Sequence, residues 1–425
     1  MKRSTPKHPS SVVTVVSIIT VMACCVFHRP CHGFQSKVLC ASHVLWQTPN
    51  YSSAIRSSSN AVNDDNNNVK ARIVFLGTPD VAATSLETIY QSSMRPDSLY
   101  KLVGVVTQPP KRRKRGGKEM PSPVGIVAEK LGLRVLCPEK ARDVDFLNEL
   151  EYEIKPDLCI TAAYGQYLPK RFLSLPRYGT LNIHPSLLPR WRGSSPVQRS
   201  LEAGDTTVGV TVLFTVSKMD AGPIVTQESM DIDNNEQATT LLPKLFNIGT
   251  ARLIETLPKV VSGEITIDTA TRQDEFLVCE AKMIDSSEGQ LWPMNMTAIQ
   301  CHNRVRGFSM WPGTFIYVRM SNDDKNDDEM PNNSESVKMK VIETRVLDET
   351  MTEPTNIIEI GPKKGDGLRL VCFDGSVLEL LKVQPVTRNV MDAKSFVNGL
   401  QGQTVRWLSG LEVDTTVVSL IQVKQ

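Results

Sequence analysis

Histidine is scarce in this sequence. Of six, only His184 and His302 lie beyond residue 69, so histidine-dependent acid–base chemistry has two candidates. No C-x-x-C pair and no H-x-E motif occurs, and the five cysteines of the body (Cys137, Cys159, Cys279, Cys301 and Cys372) are scattered. This argues against a cysteine-rich zinc site or a disulfide framework and favours a reducing compartment; no metal is expected. Glycine-rich nucleotide signatures are missing too. The first apolar strand runs into Gly77-Thr78-Pro79-Asp80 instead of G-x-G-x-x-G, and Gly116-Gly117-Lys118 lacks the leading glycine and the Ser/Thr of a phosphate-binding loop. The single long apolar run, Val12 to Phe27, lies near the start, which argues against a multi-span membrane protein.

Acidic residues are absent before Asp64, whereas Lys2, Arg3, Lys7, Arg29, Lys37 and Arg56 precede it. Setting those six aside turns 48 basic against 46 acidic residues into 42 against 46. The body is therefore mildly acidic, and any nucleic-acid binding must use a local basic patch. Val12 to Phe27 has the length of a signal h-region, and Gly33-Phe34 opens an acid-free, Ser- and Asn-rich stretch of transit-peptide composition. The combination resembles the two-part presequence of algae with secondary plastids, where a Phe follows the signal cleavage point. A mitochondrial presequence with an apolar stretch is the alternative. Residues 1–69 are read as presequence and linker, and no stable membrane association is expected after processing.

Beyond residue 69, apolar strands alternate with helical segments. Arg72 to Leu76, Leu102 to Val106, Leu158 to Thr161, Thr180 to Ile183 and Val208 to Phe214 read as strands. Val81 to Gln91, Ser122 to Leu131, Pro196 to Ala203 and Gln237 to Gly263 read as helices, with Ser122 as an N-cap and Pro123 at the first helical position. The expected fold is α/β: a doubly wound, mostly parallel sheet over residues 70–264. A linker at 265–285 then leads to a small OB-like β-barrel at 286–425, with an Asp374-Gly375 hairpin turn; a barrel of that type suits a nucleic-acid binder. Residues 322–335 (NDDKNDDEMPNNSE) are expected to be a disordered acidic insertion.

The segment Leu181-Asn182-Ile183-His184-Pro185-Ser186-Leu187-Leu188-Pro189 carries the chemistry. Period-two geometry puts Asn182 and His184 on one face at the end of a strand, where α/β sheets bind ligands. An amide donor beside an imidazole there suits a carbonyl oxygen that becomes negative. A lone N-x-H is more often a buried His bonded to backbone; the downstream Met219-Asp220-Ala221-Gly222 shifts the balance. Asp220 is either a turn residue or the partner that sets the His184 tautomer and stabilises its charged form. Lys111 to Lys118 holds six positive charges in eight residues, either a solvated run or the local patch for phosphates.

These blocks resemble the formyltransferases that use 10-formyltetrahydrofolate. N-I-H-P-S-L-L-P-R-W-R-G followed by M-D-A-G is similar to that family's catalytic region, whose Asn, His and Asp match Asn182, His184 and Asp220. F-L-G-T-P-D (Phe75 to Asp80), M-P-S-P-V (Met120 to Val124) and A-A-Y-G-Q-Y-L-P (Ala162 to Pro169) narrow the resemblance to the methionyl-tRNA formyltransferases. V-R-G-F…W-P (Val305 to Pro312) resembles the start of their C-terminal domain, and tRNA is the expected ligand of the barrel. The resemblance implies a transferase that moves a formyl group from 10-formyltetrahydrofolate to the α-amine of methionyl-initiator tRNA; the leader adds an organelle, and a monomer is expected. Plastid is favoured over mitochondrion. It also implies folate binding by Ser186, Leu187, Leu188 and Pro189, and tRNA binding by Arg112, Arg113, Lys114, Arg115 and Lys118. Sugar-nucleotide or other small-amine formyltransferases and a non-catalytic tRNA- or folate-binding module are the alternatives. The KRRKR run departs from the Pro- and Gly-bearing loop of bacterial relatives. Residues 281–425 carry 16 basic and 19 acidic side chains, so their composition shows no positive face.

Overall fold

The computed structural model describes residues 70–112, 117–321, 336–351, 355–363 and 365–408. Residues 1–69, read above as presequence and linker, residues 113–116, and residues 322–335, expected above as a disordered acidic insertion, lie outside the described residues.

Seven strands form the first sheet: β1 (Ala71–Gly77), β2 (Tyr100–Val106), β3 (Val135–Leu136), β4 (Leu158–Ala162), β5 (Thr180–His184), β6 (Thr207–Phe214) and β7 (Ile224–Asp231). Their order is β7-β6-β5-β4-β1-β2-β3. The pairings from β3 through β5 are parallel, and β6 and β7 add antiparallel pairs at one side. The central strands read as continuous apolar runs because both faces are covered. On one face Ile73, Phe75, Leu181, Ile183 and Val212 pack against α1 (Asp80–Ser93) and the long α5 (Ala238–Val261). On the other, Val74, Leu76 and Cys159 pack with Phe146 and Phe172. The sheet is thus doubly wound, as the alternation of strands and helices implies.

Local signals set the boundaries. Helix α2 (Pro123–Lys130) begins where the Ser122 hydroxyl accepts the Gly125 amide at 2.9 Å, with Pro123 in the first turn. The short α3 (Val144–Asn148) follows β3. Helix α4 (Pro196–Ala203) ends at Gly204, whose φ of 80° is left-handed. Strand β7 escapes sequence reading. It is an edge strand of alternating exposure, with Gln227, Ser229 and Asp231 breaking its apolar pattern.

The C-terminal region is a six-stranded closed barrel of β8 (Thr314–Ser321), β9 (Val337–Thr350), β10 (Ile357–Ile360), β11 (Leu368–Val371), β12 (Ser376–Pro385) and β13 (Thr404–Trp407). Its order is β9-β8-β13-β10-β11-β12, closed by pairing of β9 with β12. Gly375 (φ 80°) turns the Asp374-Gly375 hairpin between β11 and β12. The barrel core, with Ile316, Val341, Leu380 and Trp407, extends onto Cys301 and Val305 of α6 (Ala298–Gly307) and Phe396 of α7 (Ala393–Leu400).

The other face of α6 packs on α4, so one helix serves both halves. His302 marks the junction. It is buried; its Nε2 donates to the Asn234 carbonyl at 2.7 Å, and its Nδ1 accepts from the Thr344 hydroxyl of β9 at 2.8 Å. Arg199 of α4 reaches Glu288 at 2.8 Å, and Arg304 reaches Glu202 at 3.1 Å. His302, one of the two histidine candidates, is therefore a structural link between the halves.

The segment 265–285, expected as a linker, is built into the first half. Thr271 bridges Ile224 of β7, and Cys279–Ala281 pairs in parallel with Arg190–Gly193. Sequence reading treats it as a connection because its pairing partner is a four-residue strand about 90 positions away, beyond any local periodicity. Among the described residues no helix is long and apolar enough to cross a membrane.

Candidate active site

Strand β5 ends where the site begins. Its alternation sends Leu181 and Ile183 into the core under α5 and turns Asn182 and His184 to the opposite face. Thr161 of β4, registered directly beside Asn182, donates its hydroxyl to the Asn182 amide oxygen at 2.8 Å. That bond fixes which end of the amide points where, leaving the NH2 group as the outward donor.

His184 is 4% exposed. Its Nε2 lies 2.9 Å from the Trp191 carbonyl oxygen, and its Nδ1 lies 3.7 Å from Asp220 Oδ1. A carbonyl only accepts, so the proton sits on Nε2 and the neutral ring keeps its lone pair on Nδ1. The tautomer is therefore set by Trp191 and not by Asp220, which corrects the role the sequence suggests for the aspartate. The Asp220 carboxylate stands at ion-pair distance from the nitrogen that takes up the next proton.

Asp220 occupies an unusual backbone. Its φ is +49°, a left-handed conformation costing a non-glycine residue roughly 1 kcal/mol. Its Oδ2 accepts the Gly193 amide at 3.0 Å, and its carbonyl accepts from the Gln273 side chain at 2.8 Å. Two glycines permit the arrangement. Gly193 (φ 131°) crosses so close to Ala281 that a Cβ would fall 2.5 Å from its carbonyl oxygen, and a Cβ on Gly222 would collide with the Phe214 carbonyl.

The Ser186–Pro189 turn is tied down from below. Thr211 of β6 donates its hydroxyl to the Ser186 carbonyl at 2.6 Å and accepts the Leu188 amide at 3.1 Å; Gln227 of β7 donates to the Leu188 carbonyl at 2.8 Å. Ser186 and Leu188 are buried, whereas Leu187 and Pro189 are half-buried. The Ser186 hydroxyl is spent on the Arg190 carbonyl at 2.9 Å. A cavity beneath the turn is lined by Ser186, Leu187, Trp191, Val197, Asp205 and Leu241, without Asn182, His184 or Asp220. Burial alone would raise the Asp205 carboxyl, but hydrogen bonds from Arg190, Trp191 and Ser200 outweigh it and hold it below the usual range.

The basic segment stems from the same carboxyl end of the parallel strands, just past β2. Lys111–Arg112 pairs antiparallel with Glu119–Met120, making the base of a hairpin. Lys111 Nζ donates to Gln108 Oε1 at 2.7 Å, and Gln108 and Thr78 both donate to the Tyr164 carbonyl beyond β4. Arg112 and Lys118 are exposed; Arg113, Lys114 and Arg115 lie outside the described residues. The ion pair of Arg112 with Glu119 at 3.6 Å is solvated on both sides and worth little.

The family model for formyl transferases matches residues 71–257, and that for the formyl transferase C-terminal domain matches residues 284–401. A methionyl-tRNA formyltransferase of Natranaerobius thermophilus is 33% identical over 332 residues, covering 77% of this chain and 96% of that protein. The chain belongs to the methionyl-tRNA formyltransferase family. Two solved formyltransferases share the fold. The sugar 3N-formyltransferase WlaRD, solved with dTDP and 5-N-formyl-THF, has a TM-score of 0.51 at 16% identity, covering 76% of this chain and 100% of its own. The N-formyltransferase of Helicobacter canadensis, in complex with folinic acid and dTDP-3-aminofucose, has a TM-score of 0.50 at 16% identity, covering 74% and 99%.

Within this formyltransferase, motif reading brings Asn182, His184 and Asp220 to one place, but the residues that aim them are not in the motifs as singled out. Thr161 could have been found from strand register; Trp191 acts through its carbonyl and Gln273 from a distant segment, and neither leaves a local signal. Among the described residues no group of three or more His, Cys, Asp or Glu side chains could hold a metal ion.

Proposed function

We propose that this formyltransferase transfers the formyl group of 10-formyltetrahydrofolate to the α-amine of methionyl-initiator tRNA. The observation that carries the chemistry is the Asn182 amide, its oxygen held by Thr161, two residues along β5 from a His184 ring whose Nδ1 stands 3.7 Å from Asp220. The amine attacks the formyl carbon, the C–N10 bond breaks, and the amine's proton ends on the departing nitrogen. Between those events the formyl oxygen is an oxyanion. Asn182 donates to it, and the ring, once it carries a second proton, supplies Nδ1–H, on the side that faces Asp220, as the one imidazole donor not engaged by Trp191. Asp220 then assists the proton's return toward the leaving nitrogen.

Ser186, Leu187, Leu188 and Pro189 are assigned to the folate side as backbone and apolar edge, since the Ser186 hydroxyl is already engaged. Arg112, Arg113, Lys114, Arg115 and Lys118 are assigned to the tRNA acceptor end, supported by a hairpin base that follows the carboxyl end of β2, the same end of the parallel strands at which Asn182 and His184 sit. The compartment assignment rests on sequence alone: plastid, through the signal-like run and Phe34.

A formyl-transfer assay with charged initiator tRNA and an amino-sugar nucleotide as competing acceptors tests the substrate. Formylation of the tRNA alone is expected; preference for the sugar would overturn the assignment. For the compartment, residues 1–63 fused to a fluorescent reporter should deliver it to plastids, and deletion of 1–33 should abolish delivery. Mitochondrial co-localisation would reject the plastid assignment and leave the enzymatic one intact.

A further inference from the structure

We propose that Gln273, in the segment between the two halves, is a positioning residue for Asp220; this rests on the assignment of Asp220 above. Its side chain makes three hydrogen bonds. Nε2 donates to the Asp220 carbonyl at 2.8 Å and to the Gly222 carbonyl at 2.7 Å, and Oε1 accepts from Arg192 Nε at 2.9 Å. The two donors of one amide thus straddle the turn on which Asp220 sits with φ +49°. That backbone is not self-sustaining, because a left-handed non-glycine residue relaxes unless its surroundings over-determine it.

Arg192 explains the amide's orientation. It is 6% exposed, and its Nη1 is paired with Glu275 Oε1 at 3.0 Å. Because a guanidinium only donates, its Nε forces the Gln273 oxygen inward and the NH2 toward the two carbonyls. Glu275 is gripped from the other side by Lys218 Nζ at 2.6 Å, and the two bonds, Lys218 first, hold its carboxyl below the usual range. Lys218 and Gly222 bracket Asp220 in sequence. The turn is therefore clamped at both ends by residues 273–275, while Gly193, adjacent to Arg192, binds the carboxylate itself. The clamp fixes the carboxylate relative to His184 Nδ1.

Gln273→Glu separates this role from a merely structural one. Its carboxylate still accepts from Arg192 but has no hydrogen to give the Asp220 and Gly222 carbonyls. Gln273→Ala removes both functions. Both variants are expected to lose about ten- to a hundredfold in kcat while KM for each substrate and the thermal midpoint stay near wild type, and the His184 imidazole 15N resonances should move. Wild-type kcat in Gln273→Glu with unmoved resonances would overturn the inference. So would an equal rise of both KM values with a lowered midpoint, which is the mark of misfolding. Asp220→Asn is measured alongside. If it retains full turnover, the assignment of Asp220 fails; if it is crippled while the Gln273 variants are normal, only the clamp fails.

Discussion

The carbonyl oxygen of Trp191 lies 2.9 Å from Nε2 of His184, and this contact leaves Nδ1 as the one imidazole nitrogen free to face Asp220. Trp191 itself is left-handed (φ 65°), and its indole Nε1 is bonded to Asp205 at 2.7 Å. The carbonyl that sets the tautomer is thus aimed by a residue held at its other end.

His184 and Asp220 are expected to act as one unit. His184→Ala and Asp220→Asn should each lower kcat by about a hundredfold or more, and the double variant should be only slightly worse than either. The measurement is a double-mutant cycle on formyl transfer; additive losses would separate the two residues.

Thr161→Val tests whether the Asn182 amide must be oriented. The substitution keeps the volume and removes the hydroxyl that engages the amide oxygen. A loss of about tenfold in kcat at unchanged KM is expected, with a stability cost of about 1 kcal/mol. An unchanged kcat would show that the substrate alone orients the amide.

For the hairpin, Arg115→Ala should raise KM for charged tRNA while KM for the folate stays the same. The paired change Arg112→Ala with Lys118→Ala should flatten the salt dependence of tRNA binding by roughly one unit of slope for each phosphate that the variant no longer neutralises. Binding measured at several salt concentrations separates this from misfolding, which would weaken both ligands together.

His302 predicts a pH dependence of stability. Burial, chiefly, holds its pKa below the ordinary 6.5; the Arg306 charge acts the same way, and the bond to Asn234 opposes both. The folded state favours the neutral ring. The stabilisation is therefore complete above pH about 6.5 and is lost as pH falls through the depressed value. Thermal midpoints between about pH 7.5 and 5 should fall more steeply in the wild type than in His302→Asn. Parallel curves would remove His302 as the cause.

Much of the architecture is legible in the sequence because it is written in local terms. The Ser122-Pro123 start of α2, the Gly204 stop of α4 and the Asp374-Gly375 turn each need only neighbouring residues. So does the pairing of Asn182 with His184, which follows from strand alternation. What stays hidden is non-local. Strand β7 has a polar alternating face, and the four-residue β13 is placed by its pairing with β8 and β10. Thr161 meets Asn182 through inter-strand register, and Gln273 meets Asp220 across 53 positions. The reading of 265–285 as a linker misses its pairings for the same reason, since the partners lie beyond any local window.

The parallel pairing of Cys279–Ala281 with Arg190–Gly193 bears on where the chain can be divided. A fragment ending at residue 264 would keep Asn182, His184 and Asp220 and still lack the strand that abuts Gly193 and the amide that spans the Asp220 turn. In chimaeras that exchange barrels between family members, the junction therefore belongs after Ala281. A crossover placed earlier would deliver a foreign segment into the middle of the reaction centre, so residues 265–281 are inherited, in effect, with the strands that precede them.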